Sequence, residues 1–221
     1  MQRGPEVPSL TEPQTPALKL ALSTARPGDR ATYAALFALD ERLSKAIAAT
    51  GEVMLAQIRL AWWRDELAKE PETIAADPLL TALRKSFGSK AGGLADLVDG
   101  WEAALAGDDD LLRCEQFAAG RASAFALLSE VVGQERHAEE ASRAGRLWAM
   151  AGLASGLAGG ELAGAATQLR GANQTLSLPR ALRPLAVVGG LARRALRRPG
   201  APLLGDRMSP FAALRLGLLG R

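Results

Sequence analysis

The run Gln57–Leu67 holds the side chains whose types and spacing best suit binding chemistry. Spacings of four and three residues place Arg59, Trp63 and Glu66 on one side of a helix. On such a helix Trp63 can hold Arg59 by a cation–π contact while Glu66 offers the same arginine a carboxylate. Trp62 lies on the neighbouring face, so the two tryptophans cover a broad arc. The alternative is an amphipathic core helix with a surface ion pair, because tryptophan most often serves to bury area.

One acidic residue interrupts an apolar helical face upstream of that run. Asp40 follows Leu36 by four residues and precedes Leu43 by three, so it lies on or beside the face. A buried carboxylate costs several kcal/mol unless it is paired, and Arg59 is the partner that we expect. Together with Tyr33 this arrangement predicts a polar pocket inside a helical bundle. The alternative is that Asp40 lies at the edge of the face and reaches water.

The chain has one cysteine, Cys114, and one histidine, His137. These counts exclude an internal disulfide, a thiol-rich zinc site and any hydrolytic triad whose base is not His137. We expect Cys114 to be buried without a chemical role, whereas His137 lies in a polar stretch typical of the surface. A lone cysteine is typical of a reducing compartment, so we expect a cytoplasmic protein.

Positive charge is concentrated toward the C-terminus. Residues 141–221 hold 12 arginines against two acidic residues. Spacings of one and four place Arg193, Arg194, Arg197 and Arg198 on one side of a helix, where they can hold a diphosphate or an anionic membrane surface. An ordinary basic helix end is the alternative. No aromatic residues are interleaved with these arginines, so we expect no nucleic-acid partner.

Composition predicts the class of fold that must position these residues. The 221-residue chain is 48% hydrophobic, mostly through alanine and leucine, which are strong helix formers and weak evidence for strands. The modest net charge of +3 excludes an intrinsically disordered protein. We therefore predict an all-α bundle of seven or eight helices in one domain, residues 17–221, after a disordered proline-rich arm, residues 1–16.

Apolar residues at steps of three and four predict the individual helices. Asp77-Pro78 and the acidic run Asp108–Asp110 are predicted to cap two of them. The small residues of Ala144–Gly160 are expected to permit close helix approach, and 158–178 shows only weak periodicity. The apolar stretch 147–169 favours a buried helix over a membrane span. The predicted helices cover residues 30–49, 52–69, 79–87, 94–105, 111–132, 134–157, 180–197 and 209–219.

Several stretches occur together in an order that resembles one protein family. They are Ala35–Leu43, Glu52–Arg64, Leu97–Glu102, Ala144–Leu153 and Leu178-Pro179. In this order they resemble the squalene/phytoene synthase family over roughly residues 20–215, and Ile58–Arg64 is the most specific part. The resemblance implies the isoprenoid synthase fold, with a cavity walled by helices. It also implies transferase activity that joins two prenyl diphosphates head to head.

The chain departs from that family where the family binds metal. Active members carry two aspartate clusters, each with two residues four apart, that hold magnesium against the leaving diphosphate. Here Asp40 and Glu41 are adjacent, and Ser44 occupies the partner position. Residues 149–179 contain a single acid, Glu161. The sequence therefore predicts a divergent member with neither a metal site nor a cofactor, similar to short bacterial relatives of a mitochondrial complex I assembly factor.

Three functional hypotheses follow. The first is a non-catalytic protein that binds a prenyl lipid, a prenyl diphosphate or a protein partner. The second is an active prenyl transferase of isoprenoid biosynthesis, with magnesium held by unconventional ligands. The third is a helical scaffold that docks peripherally on the inner face of a membrane through its C-terminal arginines. In the first, the pocket residues are Tyr33, Asp40, Arg59, Trp62 and Trp63.

Overall fold

Helices and turns make up the part of the chain that the structure, a computed structural model, describes. That part is residues 11–48, 52–70, 72, 77–169 and 175–197, and it contains no strand. The all-α fold predicted from composition is confirmed, and the described helices share one hydrophobic core. The helices are α1 Pro16–Leu22, α2 Arg30–Ala48, α3 Val53–Ala68, α4 Pro78–Phe87, α5 Ala95–Ala103, α6 Asp110–Val131, α7 Ala138–Ala154, α8 Gly160–Gln168 and α9 Arg183–Leu196.

The two predicted helix caps are confirmed. Asp77 Oδ1 accepts a hydrogen bond from the Leu79 N–H at 2.7 Å, with Pro78 at the start of α4. At the next helix but one, Asp109 Oδ1 accepts from the N–H groups of Leu111 and Leu112. Both aspartates satisfy donors that the first turn of a helix leaves unpaired, so they define where α4 and α6 begin.

Element boundaries differ from the sequence prediction in several of the described stretches. The helix predicted from Gln134 begins as a 3-10 turn, Glu135–His137, and continues as α7. The weakly periodic stretch 158–178 contains α8, which buries alanines whose small side chains give little contrast in hydropathy. The predicted helix 209–219 and residues 1–10 of the predicted arm lie outside the described residues.

Two glycines allow the central helices to approach closely. A Cβ atom on Gly120 of α6 would lie 2.4 Å from the Asp96 carbonyl oxygen of α5. A Cβ atom on Gly145 of α7 would lie 2.6 Å from the Arg121 carbonyl oxygen of α6. Real Cβ atoms do not tolerate such contacts, so both positions require glycine at this spacing. The expected close packing of the small-residue run is confirmed at Gly145.

The helix α3 lies beside this centre, packed on α2, on α5 and on the 3-10 segment Gly88–Leu94. Arg64 Nε donates to Asp99 Oδ1 of α5 at 2.7 Å, and Arg64 also pairs with Glu102. The hydrogen bond with Glu102 raises the pKa of Arg64 above its ordinary value. These ion pairs join α3 to α5.

No helix among the described residues has the length and hydropathy needed to cross a membrane.

Candidate functional site

The Asp40 carboxylate is buried in the interior and fully engaged there. Its side chain accepts hydrogen bonds from Trp101 Nε1 at 2.8 Å and from Arg121 Nε at 3.0 Å, and Arg121 Nη2 lies 3.0 Å from the second oxygen. The prediction that Asp40 faces the core is confirmed. The predicted partner is wrong: Arg59 is exposed on α3, and Arg121 of α6 pairs with Asp40 instead. Both oxygens of the Asp40 carboxylate therefore have partners among the protein's own side chains.

Arg121 is held by aromatic rings as well as by charge. Its guanidinium carbon lies 5.1 Å from the ring centre of Trp101 and 4.5 Å from that of Phe117. Burial lowers the pKa of Arg121, and the adjacent Asp40 opposes that shift. The two rings and the carboxylate thus surround the Arg121 guanidinium in the interior, where the sequence predicted a polar pocket.

Tyr33 is also an interior residue rather than part of an open site. Its side chain is fully buried, and its hydroxyl donates to the Ala181 carbonyl oxygen at 2.7 Å. Burial raises the pKa of this hydroxyl well above its ordinary value. Tyr33 therefore joins α2 to the segment before α9, and it does not meet Arg59, Trp62 or Trp63 in one pocket.

An open groove between α2 and α3 brings together the other three predicted residues. Its volume is about 470 Å³. Its lining residues are Arg42, Lys45, Ala46, Ile58, Arg59, Trp62, Trp63 and Asp77. The lining thus combines three cations and one carboxylate with an aromatic and aliphatic wall. An amphiphile with a negative head group matches that combination.

The two tryptophans of α3 have different roles in the groove. Trp63 is 4% exposed and anchors the helix in the core, whereas Trp62 is 41% exposed and open to a ligand. Their ring centres lie 5.0 Å apart at an interplanar angle of 77°, an edge-on arrangement. The broad aromatic arc predicted from the sequence is confirmed, with one ring inside the protein and one at its surface.

Arg42 supplies donors that the protein itself does not use fully. Its Nη1 lies 3.7 Å from Asp77 Oδ2, so the two groups form an ion pair but are too far apart for a hydrogen bond. Its Nη2 is buried and has no hydrogen-bond partner among the described residues. A buried guanidinium N–H without a partner carries a desolvation penalty that a bound anion removes. Arg42 thus borders the groove with one weak ion pair and one buried donor that is not hydrogen-bonded.

Glu66 does not pair with Arg59 as the sequence analysis expected. It pairs with Lys69, the residue just after α3, and with Arg84 of α4, whose Nη2 also donates to the Glu66 carbonyl oxygen at 2.7 Å. The hydrogen bond from Lys69 lowers the pKa of Glu66. In the described part of the chain, the arginine that lies over aromatic rings is Arg121, not Arg59. The exposed Arg59 thus borders the groove without the predicted stacking on Trp63 or pairing with Glu66.

Three of the four C-terminal arginines lie at the end of α9 within the described residues. Arg193 and Arg194 are half-buried in the last turn of α9, and both interact with other groups of the protein. Arg197 is exposed just after the helix and also takes part in an interaction. Arg198 lies outside the described residues.

Cys114 and His137 do not line the groove. Cys114 is fully buried, its sulfur lies 3.7 Å from the Leu162 carbonyl oxygen, and burial raises the pKa of its thiol. The prediction of a buried cysteine is confirmed. His137 Nε2 accepts from Arg136 Nε at 3.2 Å at the half-buried start of α7. Within the described ranges, no three His, Cys, Asp or Glu side chains are placed to hold a metal ion.

Sequence reasoning missed four residues that define the two sites: Arg121, Trp101, Arg42 and Lys45. Arg121 had a detectable signal, because it stands between small residues in the apolar run 117–128 and a buried arginine needs a partner. Arg42 and Lys45 had none, because their position beside α3 depends on how two helices pack.

Comparisons with known proteins return no relative from which chemistry can be transferred. No family model, no curated protein and no solved structure matches the chain. The chemistry open to the groove therefore follows from its own residues.

Proposed function

We propose that this chain is a squalene/phytoene synthase-like protein of the cytoplasm that binds an isoprenoid amphiphile and does not catalyse metal-dependent prenyl transfer. The observation that carries the proposal is the α2–α3 groove, where the side chains of three cationic residues border an aromatic and aliphatic wall. The isoprenoid synthase type of bundle is part of the proposal, and it rests on the order of sequence stretches described above.

The apolar wall suits a prenyl chain. Ile58 and Trp62 are 59% and 41% exposed, so both present apolar surface that a hydrocarbon chain can cover. A volume of about 470 Å³ is within the range of small-molecule sites. Covering this surface is favourable because apolar area leaves water.

The cations suit a diphosphate head group. Arg42, Lys45 and Arg59 come from two helices and border the same groove. Guanidinium groups bind phosphate oxygens through paired hydrogen bonds, and such charge-assisted bonds are about twice as strong as neutral ones.

The carboxylates are not arranged for catalysis by metal. Ionising a prenyl diphosphate requires magnesium held by several oxygen ligands. Asp40 is committed to Arg121 and Trp101 in the interior. Asp77, the groove's carboxylate, caps α4 with one oxygen and faces Arg42 with the other. This arrangement supports binding of an intact prenyl diphosphate rather than cleavage of its diphosphate group.

The first test replaces Arg59 and follows binding of farnesyl diphosphate through tryptophan fluorescence. Because Trp62 borders the groove, ligand binding should change its emission. Arg59→Gln should weaken binding roughly tenfold or more, since it removes about 1.5–3 kcal/mol of charge-assisted hydrogen bonding. The matched control is Arg136→Gln, an exposed arginine in the 3-10 turn before α7, which should bind like the unaltered protein.

Two outcomes of this experiment contradict the proposal. One is the absence of any fluorescence response at ligand concentrations that saturate known prenyl-binding sites. The other is equal weakening in Arg59→Gln and Arg136→Gln, which would indicate non-specific attraction between charges. If the protein releases pyrophosphate when it is incubated with farnesyl diphosphate and magnesium, the transferase alternative is established instead.

A further inference from the structure

We propose that the outer face of α3 docks on an anionic membrane surface. Four large apolar side chains form this face, which we call the α3 stripe: Met54, Leu55, Ile58 and Trp62. Their exposed fractions are 71%, 44%, 59% and 41%. The exposed face of a helix in a soluble domain normally carries polar residues, so a patch of this kind marks an interaction surface.

The stripe is continuous along the helix. At 100° per residue, Met54, Ile58 and Trp62 follow one line along α3, and Leu55 lies beside them within an arc of roughly 100°. The line from Met54 to Trp62 is about 12 Å long at 1.5 Å per residue. That length fits a helix lying in the head-group region and is far too short for a span.

Cations border the stripe on the side of α2. Arg59 follows Ile58 around the helix, and Lys45 and Arg42 line the groove between the two helices. Arginine and lysine beside aliphatic side chains and a half-exposed tryptophan are the composition of surfaces that bind anionic bilayers. Trp62 suits the boundary between head groups and acyl chains, because its ring is large, apolar and able to donate a hydrogen bond.

The same charges disfavour the other apolar occupants. A second copy of the chain, related by a two-fold axis, would add a second set of the same three cations at the border of the stripe. The chain's C-terminal segment, residues 198–221, is also basic, with four arginines and one aspartate. An anionic lipid surface complements the stripe's border where these two occupants repel it.

The exposed fractions predict which residue of the stripe matters most for docking. Met54, at 71% the most exposed of the four, should contribute most, because it presents the largest fraction of its apolar side chain to the bilayer.

The test is sedimentation with vesicles, using full-length protein without any prenyl ligand. Vesicles of phosphatidylcholine with about 30% phosphatidylglycerol should bind the protein, and vesicles of phosphatidylcholine alone should bind much less. Binding should weaken as salt rises from about 0.05 to 0.5 M. Met54→Glu should reduce the partition coefficient about tenfold, because it replaces buried apolar area with a repelled charge. Leu112→Glu, at a 50% exposed leucine of α6, is the matched control and should bind normally.

The outcomes separate this proposal from the groove ligand and from protein partners. Met54 does not line the groove, so farnesyl diphosphate binding by Met54→Glu reports that the variant is folded. Equal binding to both vesicle types, or equal loss in Met54→Glu and Leu112→Glu, overturns the docking proposal. A dimer in light scattering that Met54→Glu dissociates also overturns it, in favour of a second copy. If the protein binds farnesyl diphosphate normally but does not bind vesicles, the docking proposal is overturned. The proposed function is not affected by that result.

Discussion

At the scale of single residues, one buried charge decides what the interior can do. Asp40 is a carboxylate in the core, and Arg121 with Trp101 satisfies it from two other helices. Its burial was predictable, because its spacing from Leu36 and Leu43 places it on an apolar face. Its partner was not, because Arg121 is 81 residues away and meets Asp40 only through the packing of α6.

A buried pair of this kind predicts a large and unequal response to substitution. Arg121→Met should lower the free energy of unfolding by about 3–5 kcal/mol, because it leaves the Asp40 charge without compensation. The double variant Asp40→Asn with Arg121→Met should recover part of that loss, since the asparagine oxygen can still accept from Trp101. Urea denaturation of the single and double variants measures both effects. Strictly additive losses would contradict the coupling between the two residues.

At the scale of elements, close contact between α5, α6 and α7 places these residues. Gly120 and Gly145 lie where adjacent backbones leave no room for a Cβ atom. The sequence indicated close approach in the small-residue run that contains Gly145. It gave no sign that Gly120 opposes Asp96, because that contact depends on the angle between α5 and α6. The helix α8 was missed for a related reason: alanine-rich turns bury area without a visible hydropathy period.

The glycine contact predicts opposite results for two similar substitutions. Gly120→Ala should lower the free energy of unfolding by about 1–3 kcal/mol or more, because its Cβ would meet the Asp96 carbonyl oxygen at 2.4 Å. Gly164→Ala, at an exposed position of α8 with nothing within 4 Å, should raise it by about 0.5–1 kcal/mol. Thermal unfolding of the two variants is the measurement. Equal effects of the same sign would show that helix propensity, rather than helix contact, controls both positions.

At the scale of the whole molecule, the fold separates a buried ion pair, Asp40 with Arg121, from an open groove. Composition was enough to predict an all-α bundle, because alanine and leucine dominate the chain. The candidate pocket was only half predictable: Arg59, Trp62 and Trp63 border the groove, whereas Tyr33 and Asp40 belong to the interior. Helical spacing places residues on a face but does not say which neighbouring helix that face will meet.

This separation implies that a ligand can bind without metal. The interior carboxylate, Asp40, is paired with Arg121. The cations that border the groove are arginine and lysine side chains rather than metal ions. Head-group recognition by Arg42, Lys45 and Arg59 needs no bridging ion, because guanidinium and ammonium groups pair with phosphate oxygens directly. In an active transferase the opposite holds, since carboxylates and diphosphate repel each other until a divalent cation joins them.

The most direct measurement is the affinity for farnesyl diphosphate with magnesium and with a chelator, followed by tryptophan fluorescence. We predict the same dissociation constant in both conditions within about threefold, a difference of less than 1 kcal/mol. Magnesium should then add no pyrophosphate release. Binding that appears only when magnesium is present, and is lost on chelation, would contradict metal-free recognition by the α2–α3 groove.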